Sequence, residues 1–114
     1  GLAAGVIACT IDALPVPPTA LVACIGPAIG VAAFQVGPEV ISAFRAAGTE
    51  PVYEGQPEDW RVDLRDTARH LLQRAGVAMV TTVGGCTVAA PADYFSYRRD
   101  GVTGRLAGFV AIDG

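Results

Sequence analysis

At 114 residues, 52% of them hydrophobic and only 17% charged, the chain can hold at most one domain, and roughly 65% of its unfolded surface can be buried on folding. A net charge of -3, with every cation an Arg and no Lys, excludes a uniform basic face and with it generic nucleic-acid binding. A mean hydropathy of +0.44 leaves too few charges to cover so small a domain evenly, which points to a partner surface outside these residues.

In chain order, Leu2 to Leu14 has only Gly5 as a breaker and stops at Pro15, which predicts a buried helix that is apolar around most of its axis. The stretch from Ala13 to Pro38 is uncharged, but Pro15, Pro17, Pro18 and the Gly26-Pro27 pair interrupt any spanning helix, so no membrane span is expected. Within it, Leu21 to Ile25 reads as a buried strand. Pro38 at a first helical position, Glu39 in the positive first turn and Gly48 after Arg45 mark a helix whose inner face carries Val40, Ile41 and Phe44. Thr49 to Asp59, with Pro51, Gly55 and Pro57, is expected as a surface loop, and Trp60 beside Arg61 is expected to cap the core edge rather than stack on a base.

Asp63 fits the N-cap of a helix running to Ala75 before Gly76, with Leu64, Ala68, Leu71, Leu72 and Ala75 forming a core stripe. Val77 to Val83 is a β-branched run ended by Gly84-Gly85, and Leu106 to Ile112 is a last strand. Helices and strands alternate, so the expected fold class is α/β, a mixed sheet flanked by helices and part of a larger single domain.

The segment from Phe95 to Arg105 holds three of the arginines within eight residues. Arg98 and Arg99, beside the hydroxyls of Ser96, Tyr97 and Thr103, could hold an anion such as phosphate. The structural alternative is an Arg–Asp turn, with Arg98 or Arg99 paired to Asp93 or Asp100. Cys86 follows the glycine pair at the C-terminal end of a strand, where open α/β sheets place ligand-contacting groups. A nucleophilic Cys86 needs a base, and His70, the one histidine, falls opposite the apolar stripe, so it is expected in solvent and paired with Asp66. Cys9 and Cys24 are expected as small core groups. No Cys or His spacing suits a metal. The odd count of three cysteines and the lack of a secretory signal in these residues predict reduced thiols and a cytoplasmic protein. Gly26-Pro27-Ala28-Ile29-Gly30 lacks a phosphate-loop ending; it is a tight turn with close backbone packing, or a backbone wall for a flat ligand.

Taken in order, Gly26 to Gly30, the run Phe34-Gln35-Val36-Gly37-Pro38-Glu39-Val40, Asp63-Leu64, Cys86-Thr87 and Phe95 to Arg105 resemble the laccase-domain family, the YfiH-like bacterial polyphenol oxidases to which purine nucleoside phosphorylase activity is assigned. Ala28 departs from the family's frequent Cys at that place. The likeness covers essentially all 114 residues but corresponds to the C-terminal half of the usual chain, and the start at Gly1 without Met reads as a truncation with the N-terminal half absent.

The resemblance implies phosphorolysis of purine nucleosides, and adenosine deamination, by a full-length parent that uses zinc or copper. Its metal ligands are implied in the N-terminal half, so none falls on these residues, and the 114-residue chain alone is expected to bind no metal and to be inactive. The implied substrates are a purine nucleoside and phosphate, with Phe95, Ser96, Tyr97, Arg98 and Arg99 as candidates for holding them and Cys86 as a candidate catalytic group. The implied partner is the N-terminal half of the same domain, with a homo-oligomer as a further candidate. Two other readings stand beside this one: a cysteine-dependent hydrolase or deamidase using Cys86, and a non-catalytic structural fragment.

Overall fold

Helix starts and stops fall where local chemistry places them. The computed structural model describes residues 2, 4–90, 92–94, 96–101 and 103. The last expected strand, Leu106 to Ile112, lies outside the described residues. Helix α1 spans Val6–Ala13, α2 Pro38–Ala46, α3 Leu64–Arg74 and the short α4 Tyr97–Asp100. Strands β1 (Val22–Ile25), β2 (Gln35–Val36), β3 (Tyr53–Glu54), β4 (Trp60–Val62) and β5 (Met79–Thr82) complete the order. In α2, Pro38 occupies the first turn, where its missing N–H costs nothing, and Glu39 and Arg45 suit the dipole at either end.

Asp63 caps α3 as expected, its Oδ1 accepting the Asp66 N–H at 2.9 Å. Removing that acceptor with Asp63→Ala is expected to cost about 1 kcal/mol of stability. Urea unfolding at neutral pH checks this, and an unchanged midpoint would show that the cap is energetically silent.

The strands form two sheets. β1 and β5 pair in parallel, with Val22 opposite Met79, Ala23 opposite Val80, Cys24 opposite Thr81 and Ile25 opposite Thr82. The order β2–β4–β3 makes an antiparallel sheet. The α/β class holds, with the parallel and antiparallel pairings divided between two sheets. Between β1 and β5 the chain travels through the small sheet and returns along α3, which packs on both parallel strands.

The core lies where α2 meets the small sheet. Ile41, Phe44 and Val62 are buried there, and Phe34, Val36, Val40, Tyr53, Trp60 and Leu64 pack around them. Trp60 thus sits at the core edge, its ring edge-on to Tyr53 at 5.7 Å. A buried hydroxyl ties this core to α3: Thr67 Oγ1 accepts the Val52 N–H at 3.0 Å and donates to the Asp63 carbonyl at 2.6 Å.

Several expectations give way here. The first helix begins at Val6, and only Ile11 in it is buried. β1 alternates between exposed and half-buried instead of being buried throughout, so Cys24 is exposed, as is Cys9 on α1. The apolar stripe of α3 is half-buried and its one buried residue is Thr67. Thr49 to Asp59 is more than a loop: Pro51 is buried and Tyr53–Glu54 pairs with β4. The strand expected over Val77 to Val83 is shorter, Met79–Thr82. Among the described residues, no helix is long and apolar enough to cross a membrane.

Candidate active site

The parallel pairing continues past the ends of β1 and β5. The Val83 N–H donates to the Ile25 carbonyl at 2.8 Å and the Thr87 N–H to the Ala28 carbonyl at 3.1 Å, and Ala28 and Cys86 form a parallel bridge. The turn Gly26 to Gly30 and the segment Gly84 to Thr87 therefore run side by side beyond the carboxyl ends of the strands, the usual ligand side of a parallel sheet. Gly84 makes the exit turn at φ +76°, a conformation that side chains disfavour.

Cys86 lies between the two segments, half-buried, with its Sγ accepting the Gly30 N–H at 3.1 Å. A Cβ on Gly30 would stand 3.2 Å from the Cys86 Cβ and 3.3 Å from its Sγ, so glycine is what permits this approach. The close packing is at Gly30; within Gly26 to Gly30 no backbone hydrogen bond closes a turn. Burial pushes the Cys86 thiol up, but the N–H groups of Gly30, Ala89 and Val88 and the charge of Arg65 act against it and bring it below its ordinary value. Arg65, which the sequence reading missed, reaches this place from α3 and donates to the Gly84 carbonyl at 3.2 Å.

The two adjacent arginines have different duties. Arg99 meets Asp100 in a two-pronged pair, Nε to Oδ1 at 2.8 Å and Nη2 to Oδ2 at 2.7 Å. Its remaining donors go to the carbonyls of Thr87 at 2.9 Å, Val88 at 3.4 Å and Tyr94 at 3.1 Å. In this structure its donors are taken by its own chain, and it latches α4 onto the segment that carries Cys86. Ser96 is buried and its Oγ accepts the Arg99 N–H at 3.3 Å, a turn role within α4. Phe95, the side chain of Tyr97 and Arg105 lie outside the described residues.

Arg98 points elsewhere and is exposed. Its guanidinium carbon lies 5.0 Å from the centre of the Phe34 ring, and Nη1 donates to the Gln35 carbonyl at 3.1 Å. Stacking and one tether fix the plane of the group. Among the described residues no carboxylate pairs with it.

The Arg99 pair makes this site sensitive to acid. Hydrogen bonds from Arg99 hold the Asp100 carboxyl below its ordinary range. A lowered carboxyl contributes its stabilisation above the unfolded value, near pH 4, and loses it as pH falls through the folded value. The protection factors of the amides from Thr87 to Tyr94, taken relative to intrinsic exchange at each pH, are expected to fall as Asp100 protonates, and protection factors unchanged across that range would remove the latch role.

His70 is exposed on α3, as its wheel position implied. Asp66 has Arg69 as its ion partner, Nε to Oδ1 at 3.8 Å, and not His70. No hydrogen bond joins His70 to Cys86 among the described residues. Nor do three His, Cys, Asp or Glu side chains converge on a metal-sized site among the described residues. They do not fit a bound zinc or copper ion. An apolar cleft of about 310 Å³ between α1 and the ends of α2 and α3 is lined by Leu2, Ile7, Ala8, Leu71 and Arg74 among others, and it contains none of the expected site residues.

A family model described as multi-copper polyphenol oxidoreductase laccase matches residues 1–113. A purine nucleoside phosphorylase of Pseudomonas aeruginosa is 44% identical over 114 residues, covering 96% of this chain and 47% of its own. The purine nucleoside phosphorylase YfiH of Escherichia coli K12 is 38% identical over 112 residues, covering 96% and 46%. The crystal structure of a Neisseria meningitidis protein of the DUF152 family model superposes with a TM-score of 0.78 at 43% identity, over 89% of this chain and 43% of that one. The chain thus spans about half the length of the curated relatives it matches.

Proposed function

Because the chain belongs to the multi-copper polyphenol oxidoreductase laccase family, we propose that it forms one half of a purine nucleoside phosphorylase site, in which Arg98 holds the phosphate. The relatives' names supply the reaction class. The observation that carries the local assignment is the guanidinium of Arg98, stacked on Phe34, tethered once to Gln35 and exposed. A planar cation so held offers its other N–H groups to two phosphate oxygens at little further entropy cost.

In that reaction a phosphate oxygen forms a bond to the sugar carbon that bears the base. The carbon–nitrogen bond to the purine breaks, its electron pair leaves with the base, and the base takes up a proton. Arg98 orients the phosphate and offsets its charge, which would otherwise oppose approach to an electron-rich nucleoside. Arg99 positions the segment carrying Cys86 and does not touch the anion. Cys86, with its Sγ bonded to Gly30, shapes the turn against which the nucleoside would rest.

Adenosine deamination belongs to the same proposal, as does a metal, zinc or copper, of which the family's description hints only at a metal. The ligands would come from the part of the family chain that these residues do not span, and no step is assigned to the metal here. Three free thiols support a reducing, cytoplasmic location.

The test grafts the 114 residues in place of the matching segment of the P. aeruginosa relative and follows inosine. Phosphate-dependent release of hypoxanthine is the expected result. Release that is independent of phosphate would make the protein a hydrolase and remove the role given to Arg98.

A further inference from the structure

Side chains alternate across a strand, so the register of β1 and β5 places Val22, Cys24, Met79 and Thr81 on one face, with Val83 next in the alternation. The opposite face, with Val80 and Thr82, is the one α3 covers: Arg69 donates to the Val80 carbonyl at 3.2 Å and to Thr82 Oγ1. The first face is open. Val22 is 69% exposed, Met79 60% and Val83 51%, and Cys24 and Thr81 are exposed beside them. Neither strand carries a charged residue. Parallel strands occur almost only with both faces covered.

The relatives indicate what covers it. This fold recurs at a TM-score of 0.78 within a solved chain of which it makes up 43%, and its sequence matches 46% or 47% of two curated chains. We propose that the Val22–Met79 face is the docking surface for the part of the family domain that these 114 residues do not span. That polypeptide lays apolar side chains on Val22, Met79 and Val83 and completes the burial of β1 and β5. The inference rests on the proposed function in one respect: the same polypeptide is the one to which that reading leaves the metal ligands.

The experiment mixes the 114-residue protein with the remaining half of the P. aeruginosa relative. It records stoichiometry by native mass spectrometry and alkylation of Cys24 by peptide mapping. The expected result is a one-to-one complex in which Cys24 labelling is lost. Val22→Asp and Met79→Asp, at positions more than half exposed, should abolish the complex while leaving the circular dichroism of the 114-residue protein unchanged. A complex in which Cys24 labels at its free rate overturns the proposal. So does the absence of a complex, or protection of Cys24 by self-association of the 114-residue protein. A complex that protects Cys24 but leaves inosine intact upholds the surface and sinks the phosphorylase reading alone.

Discussion

Phe44→Ala is expected to remove about 3–5 kcal/mol of stability, the range for deleting a buried aromatic ring. The side chain is 2% exposed and sits between Ile41 and Val62, with Trp60 and Leu64 at the rim. Its loss opens a cavity between a helix and a three-stranded sheet, which can close only if α2 moves. Single domains are stable by about 5–15 kcal/mol in all, so the variant should sit close to unfolding at room temperature. The control is Met79→Ala, 60% exposed, where a change of no more than about 0.5 kcal/mol is expected in the isolated chain. Urea unfolding of both variants decides it. Equal midpoints would mean that the core is not where the packing places it.

The elements most legible in the sequence were those that carry their own local signals. Pro38 and Glu39 open α2, and Asp63 opens α3 through a side-chain bond that needs nothing beyond its own turn. Burial was read less well, because it depends on what lies opposite. Leu21 to Ile25 looked like a buried strand from its composition, yet Val22 and Cys24 face outward from a sheet covered on one side only. Tyr53–Glu54 was hidden among prolines and glycines, since a two-residue strand has no periodicity to show and exists only by pairing with β4.

At the site, the position of Cys86 beyond a strand end was legible, whereas its bond to Gly30 spans 56 residues and leaves no trace in local pattern. The adjacent arginines looked equivalent in sequence. They separate only in space, where α4 turns Arg99 toward Asp100 and the carbonyls of Thr87, Val88 and Tyr94, and Arg98 toward Phe34 and Gln35. Gln35 and Phe34 stood within the motif that carried the family resemblance, but nothing in that motif indicated that an arginine sixty residues later would lie against them.

The division of labour between those arginines is the centre of the functional account, and Arg98→Ala probes it with a large expected effect. Losing a charge-assisted contact to phosphate should raise the KM for phosphate by about tenfold to a hundredfold. The KM for inosine should hardly change, because Arg98 is assigned to the anion and not to the base. Arg98→Lys should fall between the two, since it keeps the charge but loses the flat stack on Phe34. The decisive measurement is therefore the pair of KM values, phosphate and inosine, for Arg98→Ala in the grafted enzyme. A rise confined to phosphate is what the account predicts. An unchanged KM for phosphate, or an equal loss toward both substrates, would contradict it.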